Sequence, residues 1–436
     1  MVKIRYTVRF LTAFLKRFKG LIFIGMAVGI AIFVTFKVIS PHLLTLKTEK
    51  IGITGRHALD TLPDEVTELI GEGLTKINNE GIVEPSIAES WETTDSGRTW
   101  IFHIKDDVFW QDGKELRADE LDFGFEDAQT ETPDDKTIIF KLKEPFSHFP
   151  SVVSKPLFKK GLLSTGEWEV KKTTLVGNYF QEMTLVKKNG GKRIIKFYPT
   201  EDRSKLAFKL GEVNKLTGLF TSDPFDQWKI AKVTESANED KVMVLFFNTQ
   251  SEFFKDKAIR QGLDYAIDKE ALGISRAISP ISPNSWAYNP QVKQYNFDID
   301  RAKELIGTPP EGLEIRISTP PSLLSVAEKI KTDWEAAGIN SSVQVTSTIP
   351  EEYQVYLAIL DIPKDPDQYI IWHSTQVANN LSHFQNARID KLLEDGRTTL
   401  DVEERKKIYL DFQRFLVEEL PAAFLTHPVT YTVERK

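Results

Sequence analysis

Between residues 242 and 247 the chain reads VMVLFF, six apolar positions without polar alternation. A strand with one wet face alternates, so this run predicts a strand covered on both faces. Asn248, Thr249 and Gln250 end it. Ala258, Ile259, Gly262, Leu263, Ala266 and Ile267 then recur at helical spacing and predict a helix with one apolar stripe, with Asp268 placed to cap the short helix that follows. A buried mid-chain strand leading into a packed helix is the pattern expected where a chain crosses from one lobe to another.

The same reading extends in both directions. Residues 50–53 and 99–104 predict strands, residues 64–74 a helix with Val66, Leu69, Ile70 and Leu74 inward, and Asp112-Gly113 a tight turn. Residues 196–199 predict a strand and 205–216 a helix. Gly190-Gly191-Lys192 lacks the upstream glycine of a phosphate loop and reads as a hairpin turn. Downstream come a helix at 298–305, a strand at 313–318, a helix at 322–337 stopped by Gly338, and a strand at 342–347. A strand, a helix and a strand so close together predict a right-handed parallel unit of an open α/β sheet. An apolar run at 357–360 leads through Asp361 and a turn-rich loop to an aromatic strand at 369–372; a helix at 402–416 and an apolar strand at 422–426 follow.

Charge changes the picture at the N-terminus. Residues 1–46 hold seven Lys or Arg and no acid, which leaves 49 bases against 63 acids in the rest of the chain. A body that acidic excludes nucleic acid as the partner, because phosphate neutralisation needs clustered cations. Residues 21–36 carry no charge, and apolar character resumes after Lys37. With the cations on the N-terminal side, the expectation is a cytoplasmic segment at 1–20, an uncleaved transmembrane anchor at 21–46 and an extracytoplasmic body, so the protein is placed at the cell membrane. No small-x-small site follows the apolar run, as a cleaved signal peptide requires.

Several segments carry a family resemblance. Leu59-Asp60, Glu72-Gly73-Leu74, Pro85 with IAESW at 87–91, the aromatic strand with Trp100 and Phe102, and the stretch 108–120 with Asp112-Gly113 occur in the order typical of the extracellular solute-binding proteins of family 5, the peptide, oligopeptide and nickel receptors of ABC importers. FNTQ followed by IRQGLDYAIDKEAL, and RKKIYLDFQRFLVEELPAAFL near the end, also resemble that family. The resemblance implies a bilobal, periplasmic-binding-protein-like α/β fold of type II with two hinge crossings. The expected division is lobe I at 47–245 completed by 418–436, with a trimmed subdomain around 105–150, and lobe II at 246–417. The subdomain is expected to be short because DKTIIFKLKEP at 135–145 arrives within ten residues of Phe125.

The resemblance also supplies candidate ligand contacts. In relatives an aspartate at the strand end before the DPD loop reaches the cleft and neutralises a ligand ammonium, which needs such a partner once desolvated. Asp361 takes that role here, with Asp365 as the competing carboxylate because the loop is one residue longer. Trp372 and Trp286 are candidate apolar walls, and His373 and Asn380 candidate partners for a ligand backbone. Each has an alternative reading as a turn, core or loop residue.

Catalysis finds little support. The seven histidines form no HExxH pair, no Gly-x-Ser-x-Gly elbow occurs, and the absence of cysteine removes disulfides, thiolate metal sites and a lipidated cysteine. No cofactor or metal is expected. The expected function is capture of a peptide or other small solute between two lobes and its delivery to an ABC permease in the membrane. The competing reading, favoured by a worn turn at 175–180, is a tethered scaffold of the same fold that serves protein contacts.

Overall fold

A computed structural model of the chain describes residues 48–436 apart from residue 189, together with short helical pieces at 17–20, 24–26 and 28–29. The expected membrane anchor at 21–46 lies largely outside the described residues, and among the described residues no helix is long and apolar enough to cross a membrane.

Two sheets dominate. The first has seven strands in the order Ala231–Ala237, Val429–Arg435, Lys215–Leu219, Thr48–Thr54, Lys192–Tyr198, Tyr179–Lys187 and Trp168–Val176. Thr48–Thr54 is paired in parallel on both sides. Its alternating residues serve two cores. Ile53 joins Phe197 and Met183 under the helix Asp64–Ile70, while Gly52 leaves room for Leu216 and Tyr198 beside the helix Glu201–Leu210. That helix starts at the Thr200 cap and stops at Gly211, whose φ of +79° suits a residue without Cβ. It therefore lies earlier than the 205–216 read from periodicity.

The second sheet has five strands in the order Ser341–Val345, Ile315–Thr319, Val355–Asp361, Lys241–Phe247 and Ala422–Phe424. Residues 242–247 are all buried because the strand lies between two neighbours with the same large core against both of its faces. Ile315–Thr319 and Ser341–Val345 pair in parallel around the helix Leu324–Ala336, as the strand, helix, strand pattern predicts.

A third unit begins at residue 88 and only overlaps the 105–150 expected for a trimmed subdomain. Ala88–Thr93, Thr99–Ile104, Thr137–Leu142 and Ala128–Asp134 form a four-stranded sheet with its own core around Trp100, Phe102, Trp110, Phe140 and Phe149.

Two expectations need correction. The change of sheet falls at 238–240 and again at 425–428, not at 245/246 and 417/418, because Lys241–Phe247 and Ala422–Phe424 pair with each other inside the second sheet. The strand that returns to the first sheet is Val429–Arg435. Residues 369–372 form a single helical turn rather than an aromatic strand. The Asp367 carboxylate accepts the Tyr369 amide at 3.1 Å, and the Gln368 carbonyl accepts the amides of Ile371 and Trp372.

Candidate functional site

The two crossings run side by side. The Asn238 amide donates to the Pro428 carbonyl at 2.9 Å, the Met243 amide to the Thr426 carbonyl at 2.9 Å, and His427 Nδ1 lies 2.8 Å from the Lys241 carbonyl. This double strap joins the sheets while leaving each its own core, as a hinge requires.

Strand register places the carboxyl ends of the parallel strands at the strap. Ala237 pairs with Val429, and Leu219 with Tyr431; Thr54 lies beside Tyr198 in the same sheet. On the other side Lys241 pairs with Asp361, and Thr319 with Val345. Ligands of open α/β sheets bind outside such ends. Large apolar side chains stay exposed there on both sides: Leu59, Val176, Tyr179 and Phe220 from the first sheet, Leu324, Val345 and Ile349 from the second.

Asp361 closes the strand Val355–Asp361 at this edge. Its side chain is 81% exposed and pairs with Lys241 directly across the ladder. Asp365 is buried and accepts both Nη atoms of Arg405, at 2.6 and 3.0 Å. Burial alone would lower the pKa of Arg405, but the Asp365 carboxylate and Tyr409 raise it. Asp365 also accepts the Asp367 amide at 2.9 Å, so both oxygens are committed inside the protein.

The other candidates are held in the interior. Trp372, 1% exposed, packs between Phe246 and Phe424 and donates Nε1 to Gln368 at 2.8 Å; it is a core residue and not a cleft wall. His373 stacks on Tyr369 at 4.0 Å, with Nδ1 2.8 Å from Thr375 Oγ1 and Nε2 3.4 Å from Glu394. Asn380 spends its amide on Phe384 and Ser382, which folds the 380–384 loop and leaves nothing for a ligand backbone. Trp286 is half-buried, meets Tyr409 edge-on at 6.4 Å and donates its amide to the Glu80 carbonyl at 2.9 Å, so it joins the second lobe to the loop at 78–82.

Sequence reasoning missed the cations. Lys241, Arg405 and Arg397 lie 120, 40 and 30 residues from the aspartates they serve, and no local signal connects them. His148 was also missed. It comes from the four-stranded unit, and its Nε2 lies 3.0 Å from the Asp367 carboxylate, which also accepts Arg397 Nε at 3.0 Å. Burial would raise the Asp367 pKa, but His148, Arg397 and the Tyr369 amide together pull it down to about 2. Ser147 reinforces this contact through its amide to the Arg397 carbonyl at 2.7 Å. Among the described residues no group of three or more His, Asp or Glu is placed to hold a metal ion.

Two α/β lobes on a double strap, with the carboxyl ends of their strands converging there, define the bilobal periplasmic-binding class. The model of the family described as bacterial extracellular solute-binding proteins, family 5, middle region, matches residues 83–380, more than half of the chain, and the chain belongs to that family. It is 23% identical to the dipeptide-binding protein of Escherichia coli (strain K12), over 81% of this chain and 82% of that one. Its fold is similar to NikZ from Campylobacter jejuni in complex with Ni(L-His), with a TM-score of 0.74, 23% identity and coverage of 90% and 94% of the two chains. It is also similar to the ABC transporter-associated periplasmic binding protein DppA from Helicobacter pylori in complex with a peptide, with a TM-score of 0.71, 19% identity and coverage of 90% and 95%.

Proposed function

We propose that this protein is an extracytoplasmic receptor, tethered by its N-terminal segment, that captures a peptide between its lobes and delivers it to an ABC importer without altering it. Closure on the ligand and presentation of the closed form to the permease constitute the mechanism. The observation that carries the ligand class is the exposed Asp361 carboxylate beside the strap, the one candidate aspartate not committed to the interior. A peptide ammonium takes the place of Lys241 on it, exchanging a solvent-screened pair for one enclosed by the lobes. The relatives that carry peptides in their names support the same class.

The tether rests on the charge-free run at 21–36 behind a cationic flank. The mass of the mature N-terminus tests it, since a start near residue 40 removes the anchor. Calorimetry against a mixed peptide library tests the ligand class. Binding heat supports it; no heat and no thermal shift with any peptide leaves the scaffold reading in its place.

A further inference from the structure

A hollow lined only by first-lobe residues opens at the carboxyl-end edge where Val176 and Tyr179 stand exposed. It is open on one side and offers about 700 Å³, within the range of small-molecule sites. Three elements build it: the segment after Thr48–Thr54, the hairpin turn at 176–179, and one side of the helix Glu201–Leu210.

Its chemistry is two-sided. Val176, Tyr179, Leu206 and Leu210 line it and all remain exposed, so four large apolar side chains surround one hollow without covering each other. Isolated exposed apolar residues are ordinary, but a cluster around a concavity marks a binding surface. Arg56 and Arg203 line the same hollow, and among the described residues neither side chain makes an ion pair or hydrogen bond. Nearby, Lys196 lies 3.8 and 3.9 Å from Glu182 and Glu212, and the Tyr198 hydroxyl lies 3.5 Å from Glu212. The two glutamates are thus engaged by Lys196 and Tyr198, and the arginines are left over. In a body where acids outnumber bases, this lining holds three cations against two carboxylates.

We infer that this hollow binds a small amphipathic anion, with a carboxylate or phosphate head between Arg56 and Arg203 and a short alkyl or aromatic tail along Val176, Tyr179, Leu206 and Leu210. Guanidinium groups suit that head because their paired donors match its oxygens. The apolar side chains supply the tail contacts, and the hollow, open on one side to solvent, has room for such a molecule. Val176 and Tyr179 also stand at the carboxyl-end edge of the first sheet, so this site adjoins the cleft of the proposed function, and anion binding that survives Asp361→Asn separates it from peptide capture.

Calorimetry and thermal shift of the full chain with octanoate, octyl phosphate, octanol and octylamine test it. Octanoate or octyl phosphate is expected to bind, and the stronger of the two identifies the head. Octanol and octylamine are expected to bind at least tenfold more weakly. Arg56→Gln and Arg203→Gln each lower affinity by about tenfold, the loss expected for one charge-assisted contact. Leu206→Glu, at an exposed helix position that leaves folding intact, abolishes binding by placing a carboxylate beside the tail. No binding of either anion, equal binding of octanol, or undiminished binding by the arginine variants overturns the inference.

Discussion

His148 and Asp367 meet at 3.0 Å across the boundary between the four-stranded unit and the second lobe, and both side chains are buried there. Arg397 completes the contact from the helix Ala387–Thr398. Depressing the Asp367 pKa from 3.8 to about 2 makes the folded state prefer the carboxylate. The contribution is therefore fully present above pH 3.8 and lost as pH falls through about 2. At about 1.4 kcal/mol per pKa unit it amounts to roughly 2 kcal/mol. His148→Ala is expected to lower the urea midpoint at neutral pH and to move the acid loss of stability to higher pH. Unfolding followed by tryptophan fluorescence between pH 2 and 6 measures both, and an unchanged acid profile refutes it.

Asp365 and Arg405 form a buried bidentate pair, so removing one partner strands a charge. Asp365→Leu or Arg405→Met is expected to cost about 3–5 kcal/mol, and the two together distinctly less than the sum. Denaturant midpoints of the single and double variants check this; additivity argues against the pairing.

Lys241 competes with a ligand ammonium for Asp361 if the proposed function holds. Lys241→Met is then expected to tighten peptide binding, and Asp361→Asn to weaken it by about tenfold or more. Neither is expected to change stability by more than about 1 kcal/mol, because the pair is exposed. Calorimetry with a peptide selected from the library reads the opposite signs; effects of the same sign rule out the exchange.

Trp372 fills the core between Phe246 and Phe424. Trp372→Ala is expected to cost about 3–5 kcal/mol of stability, with peptide affinity of the folded fraction unchanged. Thermal unfolding and calorimetry on the same preparation separate the two effects, and a selective loss of affinity returns Trp372 to the cleft.

Local pattern was sufficient wherever neighbours in sequence settle the matter. The unbroken run 242–247 announced the central strand, and Asp268 and Asp298 cap the helices that periodicity predicts. Pattern failed at 369–372, where two aromatic and two β-branched residues argue for a strand but Asp367 and Gln368 supply the hydrogen bonds of a helical turn. It also misplaced the lobe boundaries, since an apolar strand reads the same whichever sheet it joins.

The amino-acid order by itself determined the alternation of strands and helices, the covered central strand, the acidic body behind a cationic leader and the family resemblance. All of these rest on contacts within a few residues or on counted charge. The tertiary structure alone decided which aspartate stays exposed. Asp361, Asp365 and Asp367 look alike in sequence, and only the long-range arrival of Lys241, Arg405, Arg397 and His148 separates them, because a carboxylate's role is fixed by the cations and water the fold brings to it.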